Sequence, residues 1–282
     1  MKLLRYGPVG QEKPGLLDAD GVLRDLSGQI ADIDGSTLTK AGLDKLRALD
    51  PKSLPAVSGS PRIGACVANV RNFIAVGLNF ADHAAETGSP IPAEPILFNK
   101  APNCIIGPND DVMIPKGSKK TDWEVELAIV IGEGGSYIDE KDALSRIAGF
   151  CVCNDVSERE FQQERGGQWA KGKGCPTFGP LGPWLVTPDE IADVQNLGMW
   201  LSVDGDKVQN GSTKTMIFGA AYLVHYISQF MRLDAGDVIT TGTPPGVGLG
   251  FKPPRFLKGG EVMELGIEGL GTQKQRVLPF AG

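Results

Sequence analysis

The sequence contains few residues that could bind a transition metal. Its 282 residues include two histidines, His83 and His225, and five cysteines, none in a Cys-x-x-Cys pair. An odd number of cysteines without such a pair indicates reduced thiols in a cytoplasm and argues against a zinc site. Any metal must therefore be held mainly by oxygen, which favours hard cations such as magnesium, manganese or calcium.

Runs of positive charge and long apolar segments are also missing. No Lys/Arg run exceeds two residues and the net charge is −6, so nothing suggests a nucleic-acid partner. The longest uncharged stretch, residues 215–231, contains polar side chains and is shorter than the roughly 20 apolar residues of a membrane span. The first ten residues lack the apolar core of a signal peptide. We therefore expect a cytoplasmic protein without a membrane partner.

Turn-forming residues are abundant, with 38 glycines and 20 prolines spread along the chain. From about residue 66 onward, short apolar runs alternate with turns, and helical patterns occur at residues 139–147 and 215–231. In the second helix, the pattern predicts a buried face formed by Ile217, Ala221, Val224 and Ser228. These features predict a mostly β core with few helices rather than an alternating βαβ chain.

The first 65 residues are interpreted as a small N-terminal domain, followed by a larger domain over 66–282. Two short strand patterns are joined by a turn at "DADG", and a helical period follows in "STLTKAGLDKLRALDP". Ser36 or Thr39 could cap this helix at its N-terminus.

Three carboxylates alternate with apolar residues in "TDWEVELAIVIG", residues 121–132. Asp122, Glu124 and Glu126 share one face if this stretch is a strand. An exposed edge strand, in which acids discourage pairing with other chains, is one interpretation. The apolar continuation, however, is typical of a central strand, and Asp155 follows another apolar run. Glu124, Glu126 and Asp155 could thus supply three oxygen ligands and leave positions open for water and substrate.

A histidine and a glutamate lie three residues apart in "VGLNFADHAAETG", residues 76–88. On a short helix His83 and Glu86 can touch, and the carboxylate would orient the imidazole as a base for water. A capped surface helix with an incidental histidine is the alternative interpretation. Gly77 and Gly88 on either side would let this segment move as a lid.

Cations and amides follow Asp155 in "SEREFQQERGGQWAKGKG". Arg159, Gln162, Lys171 and Lys173 could offset the carboxylates and bind an anionic substrate, or belong to a solvated loop.

A glycine-rich stretch, "GDVITTGTPPGVGLG", covers residues 236–250. It lacks a phosphate-loop pattern, so Thr241 and Thr243 are interpreted as part of a nest that binds a carboxylate, or of a plain turn.

In this order, these stretches resemble the fumarylacetoacetate hydrolase family. The motifs are "GLNFADHAAE", "EPILFNK", "DWEVELAIVIG", "NDVSEREFQ", "GGQWAKGKG", "GPLGPWLVT" and "GDVITTGTPPGVG", covering about residues 70–275. The resemblance implies an α+β, predominantly β fold, namely a mixed β-roll with a small N-terminal α+β domain. It also implies a homodimer.

The resemblance further implies roles for nine residues. They are Glu124, Glu126 and Asp155 as ligands of Mg²⁺ (with Mn²⁺ or Ca²⁺ as alternatives), His83 and Glu86 as a dyad on a mobile lid, Lys173 as the active-site lysine, and Arg159, Gln162 and Thr243 at the substrate. Two positions depart from the family pattern. Phe80 stands where many relatives have Tyr, and "GKGCPTFGP" replaces the common "GKSFDTF" beside Lys173.

The activity implied is hydrolysis of the C3–C4 bond of a 2,4-dioxo acid. The metal would chelate the 2-oxo and carboxylate oxygens, His83 would deprotonate the attacking water, and Lys173 would help to stabilise a pyruvate enolate. Similarity to bacterial sugar-acid members suggests 2,4-diketo-3-deoxy-L-rhamnonate, which would give pyruvate and lactate. Alternatives are ureidoglycolate lyase, 2-oxo acid decarboxylase or isomerase activity, or a cation-stabilised binding protein without catalysis.

Overall fold

The structure is a computed structural model that describes residues 1–281, with only the backbone described at Thr87. Eighteen strands lie within these residues. They are β1 (Lys2–Tyr6), β2 (Lys13–Leu17), β3 (Leu23–Asp25), β4 (Ile63–Gly64), β5 (Phe73–Gly77), β6 (Ile96–Lys100), β7 (Ile105–Ile106), β8 (Val112–Met113), β9 (Thr121–Asp122), β10 (Val125–Ile131), β11 (Ile147–Asn154), β12 (Ser157–Glu158), β13 (Gly179–Val186), β14 (Gly198–Val203), β15 (Asp206–Ser212), β16 (Val238–Thr240), β17 (Val262–Ile267) and β18 (Gly271–Leu278).

Helices are short and few by comparison. The described α-helices are α1 (Lys40–Arg47), α2 (Ala81–Thr87), α3 (Glu140–Ala143), α4 (Ala170–Lys173) and α5 (Ala220–Ser228). A single π-helical turn covers Glu160–Glu164, and a 3₁₀ turn covers Gly248–Gly250. None of the helices in residues 1–281 has the length and apolar character needed to cross a membrane.

Sixteen of these strands form two large mixed sheets, and β9 pairs with β12 in a separate two-stranded sheet. The first has the order β3-β2-β1-β13-β11-β10-β16-β5-β6, with β4 paired to β1 and β7 paired to β13. The second has the order β15-β14-β17-β18-β8 and packs against β10, β11 and β13. Most pairs are antiparallel, but β5 with β16, β7 with β13 and β8 with β18 are parallel. The predicted fold class, predominantly β with mixed strand directions, is confirmed.

The centre of the first sheet is apolar because its strands are covered on both faces. Every residue of β10 and β11 is buried, which agrees with the continuous apolar runs of their sequences. Polar side chains at the ends of β10 and β11 are therefore attached to well-packed, buried backbone.

The N-terminal residues continue the first sheet. The β1 strand pairs antiparallel with β13, so that Leu3 lies opposite Leu185. The predicted helix is α1, and Thr39 is its cap because its side chain accepts a hydrogen bond from the Gly42 N–H at 3.1 Å. The division of the chain after residue 65 stays a prediction.

Two predicted elements have different limits in the structure. The stretch 121–132 is two strands, because β9 ends at Asp122 and β10 begins at Val125. The helix expected over 215–231 is α5, Ala220–Ser228, preceded by a 3₁₀ turn over Thr213–Thr215. Val224 and Ser228 are buried as predicted.

The rest of the predicted buried face is wrong. Ile217 precedes the helix and is only partly buried, as is Ala221. Leu223 and Ile227 face the core instead.

Candidate active site

Antiparallel pairing of β10 with β11 brings three carboxylates together. Val125 lies opposite Asn154, so Glu124, just before β10, meets Asp155, just after β11. The Asp155 N–H donates to the Glu124 carbonyl oxygen at 2.9 Å. Side-chain oxygens of Glu124, Glu126 and Asp155 all lie within 4.8 Å of one another, and all three residues are buried.

Asp122 lies apart from this trio, contrary to the expectation that it shares a face with Glu124 and Glu126. The break between β9 and β10 turns its carboxylate toward the backbone N–H groups of Gly248 and Leu249, at 2.6 and 3.0 Å. It also accepts from the Arg159 Nε at 2.8 Å.

Three buried cations surround the trio. The Lys173 Nζ lies 2.7 Å from the carboxylates of both Glu124 and Asp155. The Arg159 Nη2 lies 2.7 Å from Glu124, and the Lys100 Nζ lies 2.6 Å from Asp155. Although burial raises it, the attraction of Lys173 and Arg159 leaves the pKa of Glu124 well below its usual value.

Glu126 has a different environment. Its carboxylate accepts a hydrogen bond from the Gly242 N–H at 2.9 Å, but among residues 1–281 no ion pair is formed with it. Burial, together with repulsion by Asp155 and Glu124, raises the pKa of Glu126 well above its usual value. Attraction to Lys173 and the Gly242 hydrogen bond offset this increase only in part, so a further positive charge nearby would favour the ionised form of Glu126.

The trio fits a hard divalent cation. Oxygen ligands lie about 2.0–2.6 Å from Mg²⁺ or Ca²⁺, so two ligands of one ion are at most about 5 Å apart, and the trio satisfies this limit. Asp122 and the trio bring four carboxylates against the three buried cations, which leaves one net negative charge if all are ionised. A divalent ion would change the site to one net positive charge, which suits an anionic ligand.

Lys100 is a site residue that the sequence reasoning missed. It ends β6 and is almost fully buried, with its Nζ on Asp155 and on the carbonyl oxygens of Val156 and Lys173. Although burial lowers it, attraction to Asp155 leaves the pKa of Lys100 above its usual value. The available signal is a lysine at the end of a strand that begins with three apolar residues, "PILFNK".

His83 and Glu86 touch on α2, as their spacing predicts. The His83 Nδ1 lies 2.9 Å from the Glu86 Oε2, and the Glu86 Oε1 accepts from the Gly246 N–H at 3.0 Å. His83 lines the same cavity as Glu124 and Glu126. Glu86 thus joins α2 to the loop that follows β16, while Gly88 ends the helix with a φ of +65°.

The cavity has a volume of about 290 Å³, large enough for a small organic acid. Lys173, Arg159, Gln162 and Thr243 line its polar part. Its remaining wall is apolar and includes Val76, Ile96, Phe98, Trp169, Val247 and Leu249. The Phe98 and Trp169 rings meet edge to face with their centroids 5.2 Å apart.

The other predicted polar residues have mixed positions. The Gln162 Oε1 accepts from the Arg159 Nη1 at 3.2 Å, whereas Lys171 is exposed and donates to the Arg165 carbonyl oxygen. Lys171 is therefore solvated, as the alternative interpretation had it, but it lies on α4 and not on a loop.

The two loop threonines support the neighbouring strand. The hydroxyls of Thr241 and Thr243 both donate to backbone carbonyl oxygens, those of Leu127 and Val125, each at 2.9 Å. The loop does hold a carboxylate, that of Glu126, through the Gly242 N–H.

Known proteins are similar to this chain in sequence and in fold. Residues 72–278 match the family model described as fumarylacetoacetate (FAA) hydrolase, C-terminal. A Burkholderia multivorans protein named "Putative hydrolase" is 63% identical over 276 residues, covering 98% of each chain.

Two solved structures carry more specific names. Fumarylacetoacetate hydrolase from Exiguobacterium antarcticum has a TM-score of 0.86 and 34% identity, covering 99% of this chain and 100% of its own. The 5-carboxymethyl-2-hydroxymuconate delta-isomerase from Mycobacterium smegmatis has a TM-score of 0.77 and 30% identity, covering 100% of both chains. The family match spans most of the chain and includes all the site residues described above. This chain belongs to the fumarylacetoacetate hydrolase family.

Proposed function

We propose that this protein is a metal-dependent hydrolase that cleaves the C3–C4 bond of a 2,4-dioxo acid. The observation that carries the proposal is the pairing of two groups in one cavity. One is the buried carboxylate trio with its demand for a cation, and the other is the His83–Glu86 dyad. Together they fit a reaction that needs both an electrophilic centre and an activated water.

Glu124, Glu126 and Asp155 would hold the metal, with Mg²⁺ as the preferred ion. When bound, the ion would act as a Lewis acid for the oxygens of the substrate's oxo-acid end. The side chains of the trio are fixed by β10 and β11, so little reorganisation is needed when the site is filled.

His83 is the proposed general base. With its Nδ1–H donating to Glu86, the imidazole carries its lone pair on Nε2, the nitrogen that would take a proton from water. The activated water would attack the 4-oxo carbon, and the C3–C4 bond would break to give a carboxylic acid and pyruvate.

Lys173 and Arg159 would stabilise the negative charge that develops on the pyruvate half. Both are buried and already hydrogen-bonded or ion-paired at the trio, so their positions are set before substrate binds. Gln162 and Thr243 border the same space and would contact the substrate.

The apolar wall favours a short, apolar acyl tail. Ile96, Phe98, Trp169 and Leu249 offer no hydrogen-bond acceptors for a polyhydroxylated chain, although the Trp169 indole N–H is a donor. The deoxy-dioxo acid that would yield pyruvate and lactate, with one hydroxyl and a terminal methyl group, is compatible with this wall and remains our narrower proposal.

Isomerase activity is the second candidate, because an isomerase is among the similar structures. The His83–Glu86 dyad favours hydrolysis, since an isomerase has no water to activate. An assay that measures pyruvate release from acylpyruvates and from deoxy-dioxo sugar acids distinguishes the hydrolase from the isomerase. Double-bond migration without release of pyruvate would support the isomerase.

Substitution of His83 tests the proposed base. His83→Gln should lower kcat by about 10²- to 10⁴-fold while leaving the metal Kd within about threefold of wild type. His225→Gln is the matched control, because His225 lies on α5 and binds the Ile138 carbonyl oxygen. Loss of metal binding in His83→Gln, or equal loss of activity in both variants, would contradict the assignment.

A further inference from the structure

Asp122 connects the two halves of the site. Its carboxylate is fully buried and accepts four hydrogen bonds, from the N–H groups of Trp123, Gly248 and Leu249 and from the Arg159 Nε. Its side chain points away from the trio, so metal binding by the trio does not explain why Asp122 is there. A buried carboxylate that accepts several hydrogen bonds holds the backbone segments and side chains that donate them in fixed positions.

On one side Asp122 holds the loop that carries Gly246. Gly248 and Leu249 form a 3₁₀ turn with Gly250, and the preceding Gly246 N–H donates to the Glu86 Oε1 at 3.0 Å. A Cβ at Gly248 would lie 2.0 Å from the Arg255 carbonyl oxygen and 2.7 Å from the Asp122 Oδ1. Only glycine lets the loop approach the carboxylate this closely.

On the other side Asp122 holds Arg159, whose Nη2 contacts Glu124 at 2.7 Å. The Arg159 guanidinium therefore bridges Asp122 to the carboxylate trio. Glu86, in turn, uses one oxygen for the Gly246 N–H and the other for the His83 Nδ1. A continuous path of polar contacts runs from His83 through Glu86, the loop, Asp122 and Arg159 to the trio.

We propose that Asp122 is a positioning residue that orients the His83 imidazole through the 246–249 loop and Glu86. This inference rests on the proposed function only in giving His83 a catalytic purpose. Asp122 would hold the 246–249 loop, and the loop would set the position of the Gly246 N–H. The Gly246 N–H in turn would set where the Glu86 carboxylate contacts His83.

Imidazole ¹⁵N NMR tests the proposal without any substrate. The chain has two histidines, so His225, bound to the Ile138 carbonyl oxygen, is an internal reference. In Asp122→Asn the His83 signals should move from the Nδ1–H tautomer toward a mixture of both tautomers. The His225 signals should stay unchanged. Unchanged His83 signals in a folded Asp122→Asn protein would overturn the proposal.

Two further variants separate positioning from general damage. Asp237→Asn removes another buried acid, one that accepts from the Asn72 and Asp234 backbone N–H groups, and should leave His83 unchanged. In a Glu86→Ala background the side chain that joins the Gly246 N–H to His83 is absent, so Asp122→Asn should add no further shift. An equal further shift in that background would overturn the proposal.

Hydrogen exchange of the unaltered protein covers the case in which Asp122→Asn fails to fold. If Asp122 holds the loop as one unit, the amides of Gly246, Gly248 and Leu249 should open with the same free energy. Exchange at Gly246 more than about tenfold faster than at the other two would separate Glu86 from Asp122 and overturn the proposal. None of these readouts depends on turnover, so they can fail or succeed independently of the proposed reaction.

Discussion

At the scale of single residues, the two glutamates of the trio differ in what balances their charge. Glu124 contacts Lys173 and Arg159, whereas Glu126 receives one backbone N–H and is repelled by its neighbours. Attraction to Lys173 balances the charge of Glu126 only in part, and burying such an acid costs stability. We attribute the arrangement to metal binding.

Glu126→Gln keeps the shape of the side chain and removes its charge. We expect this variant, without metal, to have at least the wild-type free energy of unfolding, because the repulsion from Asp155 and Glu124 is gone. Metal at 100 times its Kd should stabilise wild type by about 2.7 kcal/mol and leave the variant unchanged. Urea unfolding with chelator and with Mn²⁺ measures both.

Glu124→Gln is the control with the opposite sign. It would leave Lys173 and Arg159 each short of a carboxylate partner, which should cost about 3–5 kcal/mol in the metal-free protein. Equal losses in the metal-free Glu124→Gln and Glu126→Gln proteins would contradict the distinction.

Part of the site could be predicted residue by residue. The acids at 124, 126 and 155 can be predicted as site residues because carboxylates next to apolar, buried runs are costly unless they bind something. The contact between His83 and Glu86 follows from their spacing on a helix. Lys100 could not be assigned in this way. Its partner Asp155 is 55 positions away, and only the pairing of β5 with β6 and the order of the sheet bring them together.

At the scale of elements, the helices show which local signals suffice. Thr39 and Ser36 were equal candidates to cap α1, and the sequence could not choose between them. In the structure Ser36 donates to Asp34, whereas Thr39 accepts from the first turn of the helix. The helical period of the sequence is enough to predict the helix. Its first residue depends on the backbone conformation before the helix, which the sequence pattern does not give.

Thr39→Ala should therefore lower the free energy of unfolding by about 1 kcal/mol, because the Gly42 N–H loses its acceptor. Ser36→Ala should cost less than about 0.5 kcal/mol, since its contact is exposed. Urea unfolding of the two variants gives both values, and a larger loss for Ser36→Ala would reverse the assignment of the cap.

The stretch 121–132 was misjudged because the break between β9 and β10 has no local signal. Period-2 alternation runs without interruption through 122–127, so no local pattern indicates that Trp123 and Glu124 separate β9 from β10. The break depends on contacts far along the chain. Asp122 is held by Gly248 and Leu249, and the Trp123 indole N–H donates to the Gly246 carbonyl oxygen.

At the scale of the whole molecule, the first sheet joins the N-terminal strands to the strands that carry the site. The β1 strand lies beside β13, which pairs with β11 of the site, while β18 and its neighbours cover the opposite face. Composition and short apolar runs are sufficient to predict a β-rich class. The strand order could be expected only from the family resemblance, because no local pattern encodes which strands pair.

The homodimer implied by that resemblance remains a proposal. Light scattering after size exclusion should give twice the chain mass of 29.9 kDa. A mass equal to that of one chain at micromolar concentration would exclude it.

The central claim is that Glu124, Glu126 and Asp155 together bind a divalent cation. A crystal structure of the protein soaked with Mn²⁺ and pyruvate, with anomalous data at the manganese edge, tests it most directly. We predict one strong anomalous peak about 2.0–2.6 Å from an oxygen of each of the three carboxylates, with pyruvate oxygens completing the coordination. No peak at the trio, or manganese held by other residues, would contradict the account.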